Sequence, residues 1–406
     1  MDQKYWTDKF ASPEYFSNPY PIYRELLRLA PIFWCEKSGA WIVCTFKEVQ
    51  EGLRSDVFTQ RQRMTKATSH FSLKEASGLS HILTNLRHWI VFQDPPEHTR
   101  LRLLINKVFA PRNTNALEAK IEAVVCSLLD AAMSNCPFNI VEDFSFRLPA
   151  VIICDLLGLP LEKQWDLKRW ADSIAQFIAS SRVTMEQAVQ AEEVAREAAE
   201  FLVGFFEEIR REPNEGLLSA LVESQQTEDG LTDMQIIGLT INLFFAGFET
   251  TEGLIGNMVL SLVNHPDQLF LLRQNPGLID AAVEETLRFA SPILKQSRVA
   301  GESVEMLGKQ IMKGDYVHFM IGAANHDPLR FVTPDSFDIF RKDAGHVSFG
   351  YGIHFCIGAS LARLEARIAI RELLQRMPKI SVVDPFPTFP ELLAIRKPNQ
   401  LWVTNR

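Results

Sequence analysis

Residues 349–366 read FGYGIHFCIGASLARLEA. A glycine-rich loop delivers Cys356 to the first turn of a helix whose pattern begins near Ile357. At such a position the unpaired backbone N–H groups and the helix dipole lower a thiol's pKa and stabilise negative sulfur. Gly350, Gly352 and Gly358 carry no Cβ, so backbone or a flat cofactor can approach the sulfur closely. By itself this arrangement leaves two readings open, a functional thiolate or a small, buried, inert cysteine beside a turn.

Elsewhere the pattern is mostly helical. Pro19, Pro21 and Pro31 bracket an amphipathic helix at 22–29, and PIFWCEKSGAWIVC then reads as a hairpin turning at Ser38 and Gly39. Residues 58–92 mix Ser, Thr and Gly with isolated apolar side chains and read as a long surface segment with one short helix. From LRLLINKVF through EEIRR the helical period persists. Thr232 and Gln235 form a capping box that opens the longest helix, which runs to Asn264 and stops at His265-Pro266. A helix at 278–290 follows, and then strand-like pieces (LKQSRVA, SVEMLGKQI, DYVHFMI) lead to the cysteine loop and the last long helix. LAIRKPNQLWV reads as a C-terminal hairpin. The fold class is mainly α with a minor β-sheet region, in one domain over 1–406.

The chain has 47% apolar and 23% charged residues and a net charge of −8, with no Lys/Arg-rich run, which argues against a nucleic-acid partner. Six scattered cysteines form no C-x-x-C pair or zinc spacing. The charged start, MDQKYWTDKF, lacks a signal-peptide core, and unpaired thiols suit a reducing compartment, so the expected location is cytoplasmic. The longest uncharged stretch, 234–248, is too short and polar for a membrane span and reads as a core helix.

Within that helix stands AGFETT, residues 246–251. Burying a carboxylate beside two hydroxyls, after two small residues, is costly and needs a reason. Function is one, and a kink with a solvated Glu249 is the other. Glu285 and Arg288 share a helix face at i, i+3, which is usually a surface pair of small worth. His98 and Arg102 lie four apart in DPPEHTRLR, and Arg298 lies in SRVA.

F-G-x-G-x-H-x-C-x-G resembles the haem-ligand loop of the cytochrome P450 family, and the other motifs follow in that family's order. The resemblance implies a single haem domain with no fused reductase, holding haem b through Cys356 as thiolate ligand to the iron, which favours O–O cleavage. Phe349 then packs against the haem, and Gly358 lies beside it. His98, Arg102, Arg298 and His354 bind the propionates. Ala246 and Gly247 leave a groove for dioxygen, Thr250 hydrogen-bonds it and Glu249 relays protons. Glu285, Arg288 and Arg341 form an interior brace for the cysteine loop.

The implied activity is insertion of one oxygen atom of O2 into a mid-sized apolar molecule, free or carrier-tethered, with electrons from NAD(P)H through a separate ferredoxin and ferredoxin reductase. Hydroxylation and epoxidation, as in natural-product biosynthesis, are both open. Asn242, Phe245, Ala246 and Leu294 are the expected pocket residues, although Asn242 serves equally well in an internal hydrogen-bond network. Arg100, Lys107, Arg112, Arg363 and Arg367 are candidates for a basic docking face. A peroxide-driven peroxygenase is the alternative, and a non-catalytic haem-binding protein a third; neither gives Glu249 and Thr250 a task.

Overall fold

A computed structural model describes residues 3–106, 108–180, 182–226 and 230–406. The chain forms two compact units, Met1–Phe58 with Pro111–Pro149 and Thr250–Arg406, and Thr59–Ala110 with Ala150–Glu249. The long helix Asp233–Asn264 supplies its first part to one and its second part to the other.

In the first unit the expected hairpin is present. Strands Ile32–Cys35 and Ala40–Val43 pair antiparallel, and Gly39 takes the left-handed φ of 57° that the turn requires. Ala40–Val43 then pairs in parallel with Tyr316–Phe319, which is antiparallel to Gln296–Ala300. One face of this sheet carries Val317 and Phe319 and packs on Val49 and Leu53 of the helix Phe46–Arg54. SVEMLGKQI is a separate hairpin, Val304–Met306 with Lys309–Ile311, turning through Leu307 and Gly308, both at positive φ. The helices Glu118–Met133 and Ala359–Arg376 are laced by ion pairs from Arg367 to Glu118, Arg371 to Glu122 and Arg376 to Asp130.

The C-terminal hairpin expected over 393–403 does not form. Trp402–Asn405 pairs instead with Ile380–Val382 and Phe138–Asn139. Residues before it run along a different neighbour, with the Leu294 N–H donating to Ala394 O. Pro398 has no N–H to donate to a ladder, so the stretch cannot fold back on itself regularly.

In the second unit the helices Gln164–Ala179 and Met185–Arg211 pack together, and a capping box of Thr184 and Gln187 starts the latter. Residues 58–92 are more ordered than the sequence pattern suggests. Three short helices, Arg63–Ala67, Leu73–Ser77 and Ser80–Arg87, are followed by a 3-10 turn, and Leu79, Ile82, Leu86 and Trp89 are buried. Glu192 fixes the helix Ser80–Arg87 by accepting hydrogen bonds from the backbone N–H groups of His81 (3.0 Å) and Ile82 (2.9 Å). That cap comes from far along the chain, a contact that local periodicity cannot register, and three short helices stand where one was expected.

The long helix begins as expected: Gln235 N donates to Thr232 Oγ1 at 3.3 Å, and Thr232 N donates to Gln235 Oε1 at 2.9 Å. Among the described residues no helix is long and apolar enough to cross a membrane.

Gly52 is the tightest point between helix and sheet, because a Cβ there would lie 2.2 Å from the ring of fully buried Phe319. Gly52→Ala should therefore destabilise the protein by about 1–3 kcal/mol through overpacking. A denaturant melt that leaves the midpoint unchanged would refute this packing.

Candidate functional site

Cys356 is exposed, and its loop is shaped by two glycines at φ +71°, Gly350 and Gly352. Both are needed for space as well as conformation: a Cβ on Gly350 would lie 2.8 Å from the Gln296 amide nitrogen, and one on Gly352 would lie 3.0 Å from the Arg54 backbone. The Cys356 N–H donates to Phe349 O at 2.9 Å, which closes the loop. The last helix starts at Ala359 with Gly358 as its N-cap, so Cys356 stands just ahead of the first turn and not in it. Space beside Gly358 is open, with no atom within 4 Å of a Cβ placed there.

Cys35, Cys44 and Cys154 are buried and contrast with this one, while Cys136 is exposed but lies in no glycine-rich loop. Burial pushes the Cys154 thiol up to about 12 and that of Cys44 higher still, so both are inert. Among the described residues no three His, Cys, Asp or Glu side chains converge to hold a bare ion. A single accessible thiol in a glycine cradle, with open space along the loop, has the donor chemistry for a flat prosthetic group that brings its own remaining ligands. The residues present fit haem.

Behind the loop lies an ion network in which Glu285 and Arg288 are buried and Arg341 is half-buried. Arg288 donates to Glu285 through Nε (2.8 Å) and Nη2 (2.7 Å), and Arg341 Nε reaches the same carboxylate at 3.0 Å. Arg288 also donates to the carbonyls of Asn325, Pro334 and Ser336, while Glu285 accepts the Asp338 N–H. Asn325 continues toward the cysteine loop, accepting the Val347 N–H at 3.0 Å and donating to Ser348 Oγ at 2.8 Å. Sequence spacing alone gave only the Glu285–Arg288 pair; the roles of Asn325 and Ser348 have no local signal.

Arg298 is 2% exposed and donates to Ser297 O and to Gln296 Oε1, so Gln296 touches both this arginine and the neighbourhood of Gly350. Leu294 packs beside Gly322, within 3.0 Å of a Cβ placed there, while its neighbour Ile293 bridges to Ile395. His354 is half-buried within the short turn Gly352–His354. Thr250, on the long helix, is half-buried and Thr251 is buried.

In the second unit His98 and Arg102 follow one another on the helix Glu97–Asn106. Burial, then the charge of Arg102, holds the His98 imidazole below its ordinary range. Ala246 is exposed and Gly247 half-buried in the middle of a helix whose flanks are buried, and Gly247 lies close to Ile153, 3.1 Å from a Cβ placed there. Glu249 is fully buried. Phe245 packs on Trp89, ring centroids 5.3 Å apart. Asn242 is 1% exposed, and neither of its amide atoms has a hydrogen-bond partner among the described residues.

Three of the basic docking candidates carry internal partners: Arg100 with Glu97, Arg363 with Glu284 and Arg367 with Glu118. Arg112 is exposed, and Lys107 lies outside the described residues.

The cytochrome P450 family model matches residues 61–276 and 271–402. The chain is 36% identical over 396 residues to the biotin biosynthesis cytochrome P450 of Bacillus subtilis, covering 97% of this chain and 98% of that one. It superposes with a TM-score of 0.89 on the crystal structure of P450BioI in complex with hexadec-9Z-enoic acid ligated acyl carrier protein, at 36% identity, covering 97% of this chain and 100% of that one. A myxobacterial cytochrome P450, CYP267B1, in complex with myristic acid, superposes with a TM-score of 0.90 at 30% identity, covering 98% and 99% of the two chains.

The buried carboxylate predicts a strong effect on stability. Glu285→Gln leaves two guanidiniums short of their anion, and the expected loss is about 3–5 kcal/mol. Urea unfolding of wild type and variant measures it; a loss under about 1 kcal/mol would place the network outside the structural core.

Proposed function

Since the chain belongs to the cytochrome P450 family and is a haem-dependent monooxygenase, we propose that its substrate is an apolar acyl chain, presented on an acyl carrier protein, and that Cys356 is the residue that would hold the haem iron. The observation that carries the substrate reading is the full-length similarity to a protein crystallised with a carrier-linked hexadecenoyl group, together with a second relative holding myristic acid. A single haem domain over 1–406 and a cytoplasmic location accord with this reading.

Haem b with a thiolate ligand supplies O–O bond cleavage and oxygen transfer. The chain's own residues do the rest. The Cys356 loop holds the thiolate in a cradle that Gly350 and Gly352 keep open, with Phe349 and Gly358 beside the macrocycle. Arg298, His354, His98 and Arg102 would take the propionates; each is a cationic or hydrogen-bonding group suited to carboxylate oxygens. Ala246 and Gly247 leave space on the long helix for dioxygen. The Thr250 hydroxyl positions a proton, and Glu249, buried in the same helix, passes protons inward. Positioned proton transfer of this kind contributes about 10²–10⁴-fold.

Phe245 and Leu294 give the substrate apolar contact. The Asn242 amide, without an internal partner, supports a polar contact to the substrate over an internal network. A ferredoxin and its NAD(P)H-dependent reductase would supply the electrons. Arg112 is the docking candidate whose exposure best suits that role, since Arg100, Arg363 and Arg367 are engaged with carboxylates.

The reduced protein with carbon monoxide should show the red-shifted Soret band of thiolate ligation, and a histidine-type spectrum would overturn the ligand assignment. In Thr250→Ala, product formed per reductant consumed should fall by about tenfold or more; unchanged coupling removes Thr250 from proton delivery. Titration with tetradecanoyl and hexadecenoyl carrier protein should give tighter spectral binding than the free acids. For the same ligands Asn242→Leu should weaken binding about five- to tenfold while folding stability holds or rises, because an unsatisfied buried amide is removed. Unchanged affinity would release Asn242 from the pocket.

A further inference from the structure

Arg363, two turns along the last helix from Cys356, is partly exposed but is held by neighbours on its own unit. Its guanidinium carbon lies 4.5 Å from the centroid of the Phe349 ring, and its Nε and Nη2 donate to the two oxygens of Glu284 at 2.6 and 2.9 Å. His346 closes the group. Its Nδ1 accepts the Ser348 N–H, which leaves the proton on Nε2, 3.4 Å from Glu284 Oε2. The His346 ring is 5.8 Å from that of Phe349, and the backbone oxygen of Phe349 accepts the Cys356 N–H.

We propose that Arg363 and Glu284 form a charge-balanced pair against Phe349 that holds the reduction potential of the Cys356-ligated haem, each charge offsetting the effect of the other. The idea rests on Cys356 being the ligand and Phe349 lying against the haem. A planar cation held over an aromatic face fixes the ring's orientation, and the bidentate carboxylate fixes the cation. The Glu284 carboxyl stays ionised: burial works to raise it, but the hydrogen bonds from Arg363 and the nearby His346 outweigh that and hold it down to about 2. Reduction from ferric to ferrous adds one electron, supplied by the ferredoxin or in a titration by dithionite, and so adds one negative charge near this pair. A lone cation there favours the reduced state, and a lone anion opposes it. Together they cancel. Glu284 directly precedes the brace residue Glu285 on the helix Ile279–Phe289, so the pair is anchored by the same element that anchors the loop.

The test is spectroelectrochemical titration of the haem-loaded protein. Glu284→Gln should raise the equilibrium constant for one-electron reduction by roughly 3–10-fold, Arg363→Gln should lower it by a similar factor, and the double variant should return close to wild type. Arg363→Lys keeps the charge and should stay within about twofold, so it reports even if Arg363→Gln folds poorly. A purely structural role would shift both single variants the same way. That result, or shifts under about twofold in both, overturns the proposal. The carbon monoxide spectrum of each variant is read alongside: loss of the thiolate band in wild type would sink the ligand assignment, whereas an intact band with unmoved potentials sinks only this pair.

Discussion

The first unit is organised around a carboxylate that has almost no access to water. Glu285 lies between two guanidiniums, and the donors that those arginines have left over go to backbone carbonyls of the irregular stretch 325–336. A long loop without helix or strand cannot satisfy its own backbone groups. Here Arg288 and Arg341 do so, and Asn325 extends the same bonding to Val347 and Ser348 at the approach to the cysteine loop. The energetic logic is that of a buried ion network in which each charge is compensated and each leftover donor is used. Remove the carboxylate and the loop's backbone loses its scaffold.

That scaffold explains how an exposed cysteine can be held in a defined position. Gly350 and Gly352 adopt a backbone that other residues resist, and both are pressed against neighbours with no room for a side chain. Phe349 gains a second constraint from the cation stacked on its face. Rigid positioning of this kind is what a ligand thiolate needs, since small displacements change both donor strength and access.

On the long helix the same principle operates in reverse. Ala246 and Gly247 are small, and Ala246 is exposed, while Glu249 one turn further is fully buried. A carboxylate in such a place is costly in structural terms. Its presence beside Thr250 is the observation behind the proposed proton relay.

Much of this was legible in the residues themselves. The glycine spacing around Cys356, the AGFETT run, the Thr232–Gln235 cap and the Gly39 turn are local signals, because each depends on backbone geometry within a few residues. They carried the family resemblance and the helical fold class. What sequence could not decide depends on contacts between distant segments. The helix Ser80–Arg87 is capped by Glu192, the C-terminal strand pairs with Ile380–Val382 instead of its own neighbour, and Arg363 is held by Glu284 and Phe349 where its charge alone suggested a docking surface. Local chemistry specified the candidate ligand and its cradle. Only the packed chain, in which a charge meets a partner far away in sequence, determined which charges face solvent and which hold the loop in place.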